Sequence, residues 1–145
     1  MTGGDTFCYL QIAAADGPTR HLVVVLDGKY PLYDVSVRIV DLAQFEATQA
    51  VGALMGTTLS VGNLSPKLAR LVGQITLPDA DQARYNVFIM ARNDPVTELL
   101  RLRRVNGEWK IAMRVQKDDG ETGPVILKEQ VDPAYPLNNA GQVDW

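Results

Sequence analysis

The feature that most constrains this chain is the stretch LLRLRRV-NG-EWKIAMRV, residues 99–115. A type I′ turn needs positive φ at both central residues, and Asn-Gly adopts that geometry with least strain. Asn106-Gly107 therefore predicts a two-residue hairpin, and such a turn sets the register of both strands. Val105 faces Glu108, Arg104 faces Trp109, Leu102 faces Ile111 and Leu100 faces Met113. Side chains alternate between the faces of a strand. One face of the hairpin is then apolar and the other basic.

A preceding strand is expected over RYNVFIMAR, residues 84–92, joined to the hairpin through NDPV. If Arg92 pairs with Thr97, Ile89 lies beside Leu100, Val87 beside Leu102 and Tyr85 beside Arg104. The apolar face becomes three strands wide, a meander. Arg104 then sits beside Trp109 and Tyr85 in a cation–π rim.

Upstream, TFCYLQIAA alternates as a strand. RHLVVVLDG is apolar enough to be a strand buried on both faces. YDVSVRIVDL places Val35, Val37 and Ile39 on one face. Residues 41–55 are the one helical candidate, with Asp41 as N-cap and Gln44 completing a capping box. TTLSVGNLSP and LARLVGQITL read as two more strands, and PVILKEQV as a last one. These seven or eight short strands, spaced by turn signals, predict an all-β, two-sheet antiparallel immunoglobulin-like sandwich with at most one short helix. A small barrel is the alternative. The division expected is a sandwich domain over 1–131 and an irregular tail over 132–145 that docks through Tyr135, Leu137 and Trp145.

At 145 residues such a domain buries enough surface to need neither disulfide nor metal. The single cysteine, Cys8, excludes an intrachain disulfide and reads as a buried thiol. The single histidine, His21, precedes a run of valines and reads as a strand residue rather than a base. No P-loop, GxGxxG, HExxH, GxSxG or CxxC occurs. Catalysis and cofactor binding are not expected. The 47–66 stretch is uncharged but too polar to span a membrane, and no leader is visible.

Two acidic turns remain: Asp79 and Asp81 in LPDADQ, and Asp118, Asp119 and Glu121 in KDDGET. Clustered carboxylates could bind calcium or serve a hydrolase, yet neither has the spacing of a dedicated loop. Tyr30, Tyr33 and Trp145 are the aromatic candidates for a carbohydrate-binding platform, while Trp109 belongs to the core. The more suggestive surface is the basic face. Residues 84–117 carry eight basic and three acidic side chains, a balance of +5, against six and fourteen elsewhere, −8. Arg103 opposite Lys110 is a like-charge pair that something must answer. Solvent, the chain's own Glu129 and Asp132, or an acidic protein partner could do so. The candidate partner site is Arg101, Arg103, Lys110 and Arg114 with Phe88 as apolar anchor. Nucleic acid is not expected, because aromatic interleaving is thin.

PLYDVSVRIVDL, the RYNVFIMARND…LLRLRRVNGEWKIAMRV block and VDPAYPLNNAGQVDW together resemble an uncharacterised family of bacterial immunoglobulin-like β-sandwich domains. The resemblance implies a domain usually C-terminal in a longer, often membrane-tethered protein, here on the cytoplasmic side. It implies no activity and no catalytic residue. The functional expectation is a non-catalytic interaction module.

Overall fold

A computed structural model of the chain describes residues 6–15, 17–48, 57–92, 95–118 and 123–145. In chain order the elements are β1 (Phe7–Ile12), β2 (Thr19–Asp27), β3 (Leu32–Asp41), α1 (Leu42–Thr48), β4 (Thr57–Leu64), β5 (Ala69–Thr76), β6 (Gln82–Met90), β7 (Val96–Val105), β8 (Glu108–Asp118) and β9 (Pro124–Val131). Among the described residues nine strands form two antiparallel sheets, a small one ordered β1-β2-β5 and a large one ordered β4-β3-β6-β7-β8-β9. The fold is an all-β sandwich, with one strand beyond the seven or eight expected.

One core lies between the sheets. Leu22, Val24 and Leu26 enter it from the small sheet, and Val37, Val87, Leu100, Leu102 and Val115 are among those from the large one. The Asn-Gly turn behaves as its chemistry requires, with φ of 52° at Asn106 and 81° at Gly107. The hairpin register is the one expected, from Val105↔Glu108 through Leu100↔Met113. Arg104 lies over the Trp109 ring at 5.6 Å. Val35, Val37 and Ile39 are all buried. Asp41 caps α1 by accepting from the backbone N–H of Ala43 and Gln44 at 3.0 and 3.3 Å. The remainder of the helical candidate, 49–55, lies outside the described residues.

The register of the preceding strand is corrected. Tyr85 pairs with Leu100, Val87 with Glu98 and Ile89 with Val96. The connection after β6 is longer than the tight turn assumed, so β6 slides four residues along β7. A slide by an even number leaves every side chain on its expected face. The apolar set therefore survives, but Tyr85 leaves the Arg104 rim and Glu98 moves to the centre of the sheet. A second correction concerns β2. Its inner residues Leu22, Val24 and Leu26 are buried, whereas Val23 and Val25 are only half-buried on the outer face.

Register irregularities occur in β2–β5, β3–β4 and β8–β9. They are absent from β1–β2, β3–β6, β6–β7 and β7–β8. At the β4–β5 side the sheets are joined by Arg70, whose Nη1 donates to the Val61 carbonyl at 2.6 Å. At the β1 side they stand open, with a cleft of about 390 Å³ bounded by Leu10, Ile12, Ile111, Met113 and Gln130.

Candidate functional site

The outer face of β7–β8 carries the basic residues, and the chain after β9 crosses it. This tail is held by its own polar turns. Asp132 Oδ1 accepts from the Ala134 N–H, and Asn138 Oδ1 accepts from those of Ala140 and Gln142. Asn138 Nδ2 donates to Asp144 Oδ1 at 2.8 Å. Tyr135 is 7% exposed, Trp145 half-buried and Leu137 53% exposed. Of these three side chains Tyr135 is the buried one, Trp145 meets Arg114, and Leu137 stays exposed.

Arg101 is where the face and the tail meet. Although on the outer side of β7, it is only 4% exposed. Its Nη1 donates to the carbonyls of Tyr85 and Leu100 at 2.9 and 3.1 Å. Its Nη2 donates to Asn86 Oδ1 and to the Trp145 carbonyl, both at 3.2 Å. Burial lowers the pKa of this guanidinium, and the neighbouring Arg84 lowers it further. Such a group orders the tail and is closed to direct contact from outside. Arg114 binds Glu129 at 3.0 Å and stacks over the Trp145 ring at 4.5 Å. The Tyr135 hydroxyl is raised by burial, an effect that Arg103 and Arg101 oppose.

Much of the +5 block is answered within the chain. Arg84 meets Glu46 of α1 at 2.9 Å, Lys110 meets Glu108 at 3.1 Å, and Arg114 meets Glu129 at 3.0 Å. Asp132 serves the tail's turn rather than a cation. Arg103 pairs in register with Lys110 and, among the described residues, makes no ion pair. Phe88 is 39% exposed but stands beside Arg38 and Thr97, not in register with Arg101, Arg103, Lys110 or Arg114. Its apolar neighbour is Met90, at 52% exposure. The face therefore divides into three parts: a part bound by the end of the tail (Arg101, Arg114), a half-buried like-charge pair (Arg103, Lys110) whose Arg103 neighbours Tyr135, and a separate apolar end (Phe88, Met90).

The acidic turns are pulled apart by the meander. Asp79 and Asp81 are exposed and both reach Arg104, at 3.5 and 3.6 Å. Asp81 precedes the strand start that pairs near Lys110, while Asp118 ends β8. Eight residues of strand lie between, on the order of 25 Å. Asp118 therefore stands far from Asp79 and Asp81, which share Arg104. Asp119 and Glu121 lie outside the described residues. Among the described residues no group of three or more His, Cys, Asp or Glu could hold a metal ion. Tyr30 and Tyr33 are exposed, and Arg92 lies over the Tyr33 ring at 5.5 Å. His21 is exposed on β2 beside Gln74, at 3.4 Å. Cys8 is buried, and its thiol is pushed up to about 12, by burial first and then by Glu98. It is inert as a nucleophile at neutral pH.

Two buried groups were not expected as such. Arg101 was hidden by the tail, which no local pattern foretells. Glu98 did leave a signal: it occupies an inward position in the alternation Val96, Glu98, Leu100, Leu102.

No helix among the described residues is long and apolar enough to cross a membrane. No protein-family model matches the chain, and neither a curated protein nor a solved structure does.

Proposed function

We infer that the chain is a non-catalytic β-sandwich module that binds an acidic segment of a protein partner on its large sheet. The observation that carries this reading is the pair Arg103 and Lys110. Two half-buried cations stand directly opposite on an outer face; among the described residues Arg103 has no ion pair, and Lys110 has one exposed carboxylate, Glu108. Like charges so placed are destabilising until an anion joins them. The adjoining tail supports the same view, since Arg101 and Arg114 on this face already hold an irregular segment by its Trp145 carbonyl and ring. A partner segment would lie alongside the tail, on Arg103 and Lys110, rather than on the buried Arg101.

The strand order supports an immunoglobulin-like ancestry for the sandwich. In that fold strands 1-2-5-4 face strands 3-6-7. Here β1-β2-β5 faces β4-β3-β6-β7, which moves strand four across to strand three and adds β8 and β9 beyond strand seven.

The test uses the intact chain and an Arg103→Glu/Lys110→Glu variant, checked by circular dichroism to be folded. Both serve as baits in source lysate, and each captured protein is titrated against both by calorimetry. A partner that binds the native chain, weakens with salt and loses at least tenfold in affinity with the variant supports the reading. Equal affinity for both chains overturns it.

A further inference from the structure

We propose that Glu98 is a proton-dependent latch that holds the edge strand β1 onto the large sheet and releases it when the carboxyl ionises. β1 has a strand partner on one side only, β2. The Ala13 N–H bonds to the His21 carbonyl on that side. By alternation the N–H groups of Cys8, Leu10 and Ile12 point away from β2, along the free edge of the small sheet, where among the described residues no strand receives them. Glu98 fills that gap for one of them. Its Oε1 accepts from the Leu10 N–H at 2.6 Å. Leu10 and Ile12 line the cleft on that side, while Phe7, Cys8, Tyr9, Leu10 and Ile12 all bury their side chains in the core. At the far end Lys128 reaches across to the Tyr9 ring at 5.4 Å and to Asp27 at 3.7 Å.

The surroundings of Glu98 favour the neutral carboxyl. The residue is 0% exposed, and its Oε2 has no hydrogen-bond partner. Beside it stand Val87 from β6 and Val115 from β8, both fully buried. Leu10 and Cys8 approach from β1. Of these only Cys8 titrates, and it stays neutral until far above pH 8. Among the described residues no cation pairs with Glu98. Its carboxyl is accordingly pushed up to about 8 by burial, against which the Leu10 hydrogen bond acts. A buried carboxylate without a counter-charge is expelled toward water. The route of least disruption is to lift β1, because Glu98 is paired on both sides, with Val87 of β6 and Val115 of β8, whereas β1 is an edge strand paired with β2 alone among the described residues.

The experiment is hydrogen–deuterium exchange of the intact chain at pH 6 and pH 9, corrected for intrinsic exchange rates. Residues 7–12 are compared with 96–104 of β7. Opening of β1 rises about 10²-fold over that interval if the open strand frees the carboxyl to an ordinary pKa. The expected result is that rise in β1 with β7 protection retained, and its disappearance in Glu98→Gln. Constant β1 protection in the native chain overturns the latch, and so does simultaneous loss in β1 and β7, which means global unfolding. Should Glu98→Gln not fold, the native comparison of the two segments still decides.

Discussion

Replacing Glu98 by Gln tests a prediction about global stability, separate from whether β1 opens alone. The folded chain holds the Glu98 proton more tightly than the unfolded chain, since the carboxyl rises from an ordinary 4.5 to about 8. The stability this group contributes is therefore fully present below pH 4.5. It falls as the pH climbs, by about 1.4 kcal/mol per unit. Above pH 8 both states are ionised and the loss levels off at something on the order of 5 kcal/mol. For a domain whose whole margin is about 5–15 kcal/mol, that is a large share. Glutamine keeps the carbonyl oxygen that receives the Leu10 N–H. It also puts an amide NH₂ where Oε2 has no partner, a pH-independent penalty of about 1–3 kcal/mol. The two stability profiles should then cross near pH 6. The native chain is the more stable at pH 5, and the variant the more stable at pH 8 by about 2–3 kcal/mol. Urea denaturation at pH 5, 6, 7 and 8 reads this directly, as a midpoint difference of about 1 M that changes sign. Other titrating groups act on both chains and cancel in the difference. Parallel profiles would refute the reasoning, because they mean that Glu98 carries the same charge in both states.

Two glycine positions differ sharply in what an added methyl meets. At Gly28, φ is +134° and a Cβ would lie 2.8 Å from the Thr6 Cα, so Gly28→Ala should lower stability by more than about 2 kcal/mol. At Gly107, φ is +81° with open space around it; Gly107→Ala should cost only about 1 kcal/mol, and thermal denaturation of the pair gives the ranking. Arg101→Met keeps the apolar stem but removes the donors to Tyr85, Leu100, Asn86 and Trp145. It should lower stability by about 2–3 kcal/mol and speed limited proteolysis within residues 132–145, while unchanged cleavage would show that Arg101 does not hold the tail.

Much of this architecture was readable because it follows from local rules. The Asn-Gly turn dictates a register by itself, and period-two alternation assigns every β7 and β8 side chain to a face. The connection between β6 and β7 has no such rule, since a loop of several residues accepts many pairings. The error was an even slide, so the core residues were right while their neighbours were wrong. That slide is what concealed Glu98, which a tight turn would have placed near the end of the pairing rather than beside Val87 and Val115. The basic face was legible as a charge asymmetry, and its like-charge pair as a consequence of the hairpin. What the residues lacked was any sign of the tail's path. Asn138 and Asp132 build turns with their own neighbours, and only the assembled sheet brings Trp145 to Arg101 and Arg114. Position in the chain says nothing about that distance.

The placement of the irregular pairings has a consequence for polymerisation. Three of the four strands that end a sheet, β4, β5 and β9, join their neighbour through a shifted register, while every pairing in the sheet interior is regular. A straight outer strand templates the next molecule, and a bulged one twists its hydrogen-bonding groups out of line. β1 is the exception, straight along its length, and of its outward N–H groups that of Leu10 is taken up by a single carboxyl, Glu98. If β1 lifts, β2 is bared with its run of valines and with no bulge on that side. That strand is where fibrillar growth of this chain would begin, and alkaline solution is where it would be seen.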